Sequence, residues 1–312
     1  MVSWRALGAA AGLVADRALG EPGLQPHPVS AFGSVMGAVE AKAWRDDRLA
    51  GIVHAGAGLG VGAAAGLVLR SLLGAGLTST AVATYLAVAG RGLAEAAGDV
   101  ATALAGDDLD EARRLLPALV GRDPAELDDK DVARAVVESV AENTVDAVVA
   151  PAFWAAAAGA PGALAYRAVN TVDAMVGHRS ARYRRYGWAG ARLDDIAGWL
   201  PARLTAGLVA VVRPRAAGEV WRSVRHDAPR HPSPNAGVAE AAFAAALGLR
   251  LGGESRYDGR VELRPYLGRG RPPEVHDVAR AVRLSSHVAT AGTVLLVSGP
   301  VAALAWQRRH AR

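Results

Sequence analysis

Residues Glu138–Arg203 read ESVAENTVDAVVAPAFWAAAAGAPGALAYRAVNTVDAMVGHRSARYRRYGWAGARLDDIAGWLPAR. Charged and polar groups are set here into an Ala- and Gly-rich apolar background. Glu138, Glu142 and Asp146 fall at i, i+4 and i+8, a spacing that stacks three carboxylates on one helix face. Like charges so placed repel, so the pattern predicts a metal ion or cationic group against them. After Asp146 the chain is apolar for about 20 residues, the length that crosses a bilayer, with a break expected at Gly159–Pro161. A second polar cluster follows (Asn170, Asp173, His178, Arg179, Arg182, Tyr183), then a third (Arg192, Asp194, Asp195, Arg203). Polar groups beside membrane-grade sequence are expensive to keep and are functional candidates by default.

Working outward, residues 1–20 predict an apolar helix, and GEPGLQPHPVSAFG a loop punctuated by Pro22, Pro26 and Pro28. The short apolar run Ala6–Ala15 meets Asp16-Arg17 without a cleavage site, so a cleavable leader is not expected. Residues 34–48 predict an amphipathic helix, and 51–69 and 71–90 two spans or a hairpin turning near Arg70–Gly76. Residues 91–137 are charged in both signs and periodic in apolar residues. They predict a water-soluble insertion of two or three helices broken at Gly106-Asp107 and Gly121–Pro124, with a start at Asp123-Pro124. Ser233-Pro234-Asn235 reads as a turn and cap before a helix over 236–250, whose first N–H groups suit an anion. His287–Trp306 is the last span, closed by QRRHAR. The expected fold is all-α: a polytopic helical membrane protein with several amphipathic helices and polar loops. It forms one domain over 1–312, with the site-bearing core at 138–259.

Composition narrows the chemistry. Of 312 residues, 51% are hydrophobic while 21% are charged, which suits a membrane enzyme with substantial polar loops. No cysteine is present, which excludes disulfides, thiolate metal sites and thiol nucleophiles. The net charge of +5 comes from Arg, with Lys only at 42 and 130. This reads first as a compositional bias toward Arg and Ala, with Arg clusters that meet anionic lipid or a phosphorylated substrate as the sharper alternative. The basic runs lack interleaved aromatics, so no nucleic-acid partner is expected. Two Arg-rich loops, 179–192 and 213–230, both read as cytoplasmic under the positive-inside rule. A single span between them would separate them, so 196–212 is expected to be re-entrant, interfacial or buried in protein. No phosphate loop, HExxH, GxSxG or dinucleotide fingerprint is present. What remains is carboxylates with Arg, His and Asn, a set suited to phosphoryl chemistry around Mg²⁺ or to internal salt bridges.

Five segments in order also carry a resemblance: DRALGEPGLQPHPVSAFG, ENTVDAVVAP, NTVDAMVGHRSARY, ARLDDIAGWLPARLTA, and HPSPNAGVAEAAFAAALGLRLGG with a following YDG. Together they resemble the CobD/CbiB family of cobalamin biosynthesis, adenosylcobinamide-phosphate synthase or cobinamide synthase, from about Asp16 to Gly259. His178-Arg179 departs from the family pattern, which often has an aromatic and Lys there. The resemblance implies an amide ligase joining (R)-1-aminopropan-2-ol or its O-phosphate to a propionate carboxylate of adenosylcobyric acid, with ATP as the energy source and Mg²⁺ beside it. On that footing Glu138, Glu142 and Asp146 are expected to hold metal or ATP. Glu142, Asp173, Asp194 and Arg203 are the expected catalytic set. Asp16, His27, Asn143, Asn170, Arg182, Tyr183, Ser233 and Asn235 are the expected substrate contacts. The expected setting is the cell membrane, multi-pass, with site-bearing loops facing the cytoplasm and other cobalamin-pathway enzymes as further partners. A membrane carrier or scaffold subunit for corrinoid intermediates is the alternative.

Overall fold

The computed structural model describes residues 4–121, 123–178, 180–257 and 260–310. Arg179, and Asp258 and Gly259 of the YDG segment, lie outside the described residues, as do the last two residues of QRRHAR. In chain order the helices are α1 (Trp4–Leu19), α2 (Pro28–Ala43), α3 (Arg48–Leu73), α4 (Leu77–Ala87), α5 (Gly90–Ala105), α6 (Leu109–Leu115) and α7 (Asp129–Thr144). A π turn (Val145–Val149) follows, then α8 (Ala150–Val176), α9 (Trp188–Val212), α10 (Ala217–His226), α11 (Ala236–Leu247) and α12 (Val275–His310). Between the last two helices lies an antiparallel hairpin, β1 (Leu251–Tyr257) and β2 (Arg260–Leu267).

Contacts gather the chain into two compact units. The first comprises Met1–Ala89, Asp146–Gly198 and Gly292–Arg312; the second comprises Gly90–Val145 and Trp199–Ala291. In the first, α1, α4 and α8 pack around an alanine core of Ala9, Ala83, Ala87, Ala155, Ala160 and Ala163. Small side chains let these backbones approach closely, the usual solution where helices pack in lipid. The same device sets α3 on α8. Gly58, Gly62 and Gly66 form an i, i+4, i+8 stripe against Val172, Leu164 and Pro161, and a Cβ on Gly62 would lie 2.6 Å from the Leu164 carbonyl oxygen. The opposite face of α3 exposes Leu49, Ile52, Val53, Leu67, Val68 and Leu72, an apolar surface suited to lipid.

The expected break in α8 is present. Gly159 takes φ +72°, and Pro161 follows it. Pro161 has no N–H, so the carbonyl of Ala157 four residues back loses its helical donor. Arg5 Nη1 of α1 replaces it at 3.1 Å.

Capping explains several boundaries. His27 is the N-cap of α2, its Nδ1 accepting from Val29 N at 3.4 Å, with Pro28 in the first turn. The helix expected over 34–48 therefore begins earlier, inside the expected loop at Pro28, and ends at Ala43. Asp47 caps α3 through Ala50 N (2.7 Å). The 91–137 stretch breaks near the expected points, but α7 starts at Asp129, capped by Asp128, which accepts from Asp131 N at 2.8 Å. Asp123 instead closes a local turn through Ala125 N (3.0 Å).

In the second unit α7 packs against α5, α6 and α11, and α10 lies along α11. Val132, Val136, Val137 and Val140 of α7 and Phe243 of α11 are fully buried. α11 ends at Gly248 in the left-handed conformation (φ +68°), short of the expected end at 250. Among the described residues the hairpin is the one pair of strands, flanked by an isolated bridge from Leu249 to Arg271, and it bulges between Leu251 and Gly253. Gly252 there has φ +84° and abuts the Pro265 carbonyl, so no side chain fits.

Among the described residues, four helices are long and apolar enough to cross a membrane: Arg48–Leu73, Asp129–Val176, Trp188–Val212 and Val275–Gly299. The apolar run at 71–90 does not become a second span, because Gly74 and Gly76 turn the chain and α4 has only 11 residues. α9 is helical through Pro201 over 25 residues. At about 1.5 Å per residue it is long enough to span, and the internal turn that a re-entrant segment needs is not found in it.

Candidate active site

In the first unit, one face of α8 carries Tyr166, Asn170 and Asp173 at i, i+4 and i+7. Tyr166 Oη donates to Asp146 Oδ1 at 3.3 Å. Asn170 Nδ2 donates to Asp194 Oδ1 of α9 at 3.2 Å. Both carboxylates lie within electrostatic reach of the Tyr166 phenol, and Asp146 and Glu21 act on the adjoining Arg167. Trp154 Nε1 donates to the Ala197 carbonyl (3.0 Å), fixing the start of α9 along α8. Asp146 itself sits in the π turn, a wide, rarely used winding that recurs at functional sites.

Asp173 folds back over the end of α8, and its Oδ1 occupies the place a Cβ on Gly177 would take. Gly177 has an ordinary helical φ of −72°, but a Cβ there would also lie 2.7 Å from the Asp173 carbonyl oxygen, so alanine presses on both the carboxylate and the backbone. Gly177→Ala is therefore expected to cost about 1–3 kcal/mol of stability and, by displacing Asp173, to lower the turnover of the folded fraction about 10-fold or more. Unfolding and rate measurements on the same preparation check it.

The other expected residues of this unit have different surroundings. Arg182 donates to Glu40 Oε1 (2.9 Å) and lies over the Trp44 ring, 4.5 Å from its centroid. Tyr183 Oη donates to the same Glu40 oxygen at 2.9 Å. Behind them, burial and then Glu40 push the Tyr186 phenol up to about 12. Asp16 is buried in the last turn of α1. His27 is committed to its helix cap. Arg192 and Asp195 pair with each other at 3.0 Å on an exposed surface.

In the second unit, Arg203 Nη1 donates to Asn235 Oδ1 and to the Trp199 carbonyl, each at 3.1 Å, and its guanidinium stacks 4.4 Å from the Trp199 ring centroid. Ser233, not Asn235, caps α11: its Oγ accepts from Asn235 N (3.3 Å) and Ala236 N (3.2 Å). Its carbonyl takes Gly237 N as well, so the N–H groups expected to meet an anion are satisfied within the turn. Below the turn, His231 Nδ1 lies 3.1 Å from both Ser233 N and Ser233 O, and Nε2 lies 3.8 Å from Glu240 Oε1.

Glu138 and Glu142 belong to this unit and Asp146 to the other. The buried Glu138 accepts from Gly252 N at 2.8 Å. Arg134 of the same helix donates to the carbonyls of Gly252 and of Glu254 (2.6 Å). The pair thus clamps the hairpin bulge. Glu142 is exposed, and Asn143 donates to Ser139 O at 3.0 Å. The π turn begins at Val145, immediately before Asp146. Among the described residues no group of three His, Cys, Asp or Glu side chains is placed to hold a metal ion. If Glu138 is an anchor for Gly252 rather than a metal ligand, Glu138→Gln keeps the acceptor and should keep activity within about threefold. Glu138→Ala leaves a buried N–H unpaired at a cost of about 1–3 kcal/mol. Thermal unfolding together with the activity of both variants checks this.

A sequence profile described as CobD/Cbib protein matches residues 9–285. The chain belongs to the CobD/CbiB family. A protein named cobalamin biosynthesis protein CobD from Mycobacterium tuberculosis H37Rv is 48% identical over 298 residues, covering 94% of this chain and 95% of the relative. Proteins of the same name from Stutzerimonas stutzeri and Geobacter metallireducens are 43% and 42% identical, covering 87% and 81% of this chain and 90% and 83% of their own. No solved structure matches. The CobD/CbiB match takes in every polar cluster described above. It also takes in residues not singled out from sequence: Glu40, Tyr166, Arg167, His231 and Glu240. Tyr166 and Arg167 had a usable signal, as polar groups at the end of the apolar run and in helical register with Asn170. Glu40 had none, since its partners lie about 140 residues away.

His231 also carries a pH signature. Burial lowers its pKa from the ordinary 6.5, with Arg264 adding to the effect and the Ser233 bond and Glu138 opposing it. The unfolded chain then binds more protons in the window below 6.5, so stability rises with pH there. The contribution is fully present above about pH 6.5 and is lost as pH falls through the lowered value. The unfolding midpoint of the wild type is expected to drop more between pH 7 and 5 than that of His231→Asn.

Proposed function

We propose that this chain acts in cobalamin biosynthesis as an ATP-dependent amide ligase. It condenses a propionate carboxylate of adenosylcobyric acid with (R)-1-aminopropan-2-ol or its O-phosphate, giving adenosylcobinamide or its phosphate. The observation that carries this reading is the family match over residues 9–285, supported by two sets of paired polar groups whose chemistry suits acyl activation.

Mg²⁺ takes one or two carboxylates and completes its shell with phosphate oxygens and water. Asp146, which accepts from Tyr166, and Asp194, which acts on the same phenol electrostatically, are a donor pair of that kind and would hold it. There it would neutralise phosphate charge, while ATP supplies the energy that amide formation requires. Tyr166 and Asn170 orient these carboxylates by hydrogen bonds. Asp173 takes the proton from the attacking amine. Arg203, fixed by Asn235 and Trp199, binds an anionic oxygen of the activated carboxyl or of a phosphate. Arg182, tied to Glu40, receives the phosphate of a phosphorylated amine.

The protein purified in detergent, given adenosylcobyric acid, either amine, ATP and Mg²⁺, should yield a corrinoid heavier by the condensed amine. Corrinoid binding without product from either amine would overturn the ligase in favour of a carrier or scaffold subunit. We place the chain in the cell membrane with loop 177–187 facing the cytoplasm. The cysteine-free sequence suits single-cysteine labelling at Arg184 in intact cells, and accessibility there from outside the membrane would reverse this orientation.

A further inference from the structure

We propose that His231 is a positioning residue for the Asn235–Arg203 pair, acting through Nδ1 as the acceptor that holds the Ser233 turn. This rests on the reading of Arg203 as an anion-binding group. Five groups are linked in series. Glu240 Oε1 lies 3.8 Å from His231 Nε2, and the two side chains are 1% and 3% exposed. His231 Nδ1 lies 3.1 Å from Ser233 N. Ser233 Oγ accepts the N–H groups of Asn235 and Ala236. Asn235 Oδ1, in a residue only 5% exposed, accepts from Arg203. Helix packing fixes the ring from the other side, since a Cβ on Gly237 would lie 3.0 Å from His231 Cγ.

The tautomer follows from these contacts. A proton on Nε2 faces the Glu240 oxygen favourably, whereas a lone pair there would meet another lone pair. Nδ1 is then free of hydrogen and takes the Ser233 N–H. The groups acting on the ring are Glu240 of α11, Glu138 of α7 and Arg264 of β2, and burial keeps the ring neutral. Protonation would reverse the Ser233 contact, making Nδ1 a donor to the Ser233 carbonyl 3.1 Å away and releasing its N–H. Asn235 would lose its support, and with it the orientation of Arg203.

Two isosteres separate this role from simple core packing. In His231→Asn the amide oxygen falls near the Nδ1 position and keeps the Ser233 bond; in His231→Gln it falls near Nε2 and does not. Hydrogen exchange over residues 231–238 of the full-length protein in detergent reads the turn without turnover. His231→Gln should speed exchange there about 10-fold, and His231→Asn by less than about threefold. In the ligase assay, kcat/KM should fall about 100-fold in His231→Gln and less than about threefold in His231→Asn. His231→Gln should add nothing further in an Asn235→Ala background. Equal damage from both isosteres, or unchanged exchange in His231→Gln, would overturn the proposal and leave His231 as packing. A wild type without ligase activity would refute the proposed function instead, while the exchange result still decides whether His231 holds the turn.

Discussion

Asp194→Asn is expected to lower amide formation about 1,000-fold with little change in stability. Asparagine keeps an oxygen where Asn170 Nδ2 donates at 3.2 Å, so the contact between α8 and α9 survives. Only the negative charge is removed. On the proposed reading Asp194 acts through the Mg²⁺ it would hold, and its loss should cost at least the roughly 10²–10³ in rate that removing one preorganised electrostatic group costs. Asn170→Ala is the complementary change: it spares the charge but frees its orientation, with an expected loss of about 10-fold. Product formation over a Mg²⁺ titration distinguishes the two. Asp194→Asn should not be restored by added Mg²⁺, whereas Asn170→Ala should be restored in part. Wild-type rates in Asp194→Asn would remove this carboxylate from the reaction.

Gly66→Leu is expected to destroy the fold of the first unit. A Cβ at this position would overlap the backbone of Ala160 and Pro161, which cannot rotate aside as a side chain can. Overpacking a tight core typically costs about 1–3 kcal/mol. Separating two helix backbones along their whole contact should exceed about 4 kcal/mol, the range that marks a named structural failure. Gly60 provides the control on the same helix, because nothing lies within 4 Å of its Cβ direction. Gly60→Leu should therefore behave as wild type in detergent, while Gly66→Leu aggregates or runs as an expanded species on size exclusion. Equal behaviour of the two would refute the close approach of α3 and α8.

Much of this was legible in the sequence because it depends on composition and short-range pattern. The apolar run after Asp146, the Gly159–Pro161 break and the helices of the 91–137 stretch all follow from residues within a turn or two of one another. The polar clusters stood out because charge is conspicuous among alanines. Partner choice was not legible. Glu138 looked like one of three stacked ligands, yet its acceptor role is fixed by a glycine bulge more than 100 residues later. The π turn is a local winding that no side-chain type announces. Arg182 looked like a free clamp until Glu40 and Trp44 met it from α2 and its C-terminal cap. Ser233 and Asn235 were both visible as turn residues, but which one caps α11 and which one meets Arg203 is settled by packing.

The bond from Arg5 to the Ala157 carbonyl has a bearing on how the protein is made. The donor leaves the ribosome about 150 residues ahead of its acceptor. Arg5 meets this carbonyl only once α8 has emerged, and α8 offers the carbonyl at the break that Pro161 leaves without a helical donor. Insertion is therefore expected to keep α1 close by until the broken helix arrives. An amino-terminal fusion that draws α1 away during synthesis would strand a bare carbonyl in hydrocarbon, and quality-control proteolysis would register the fault before any enzyme assay did.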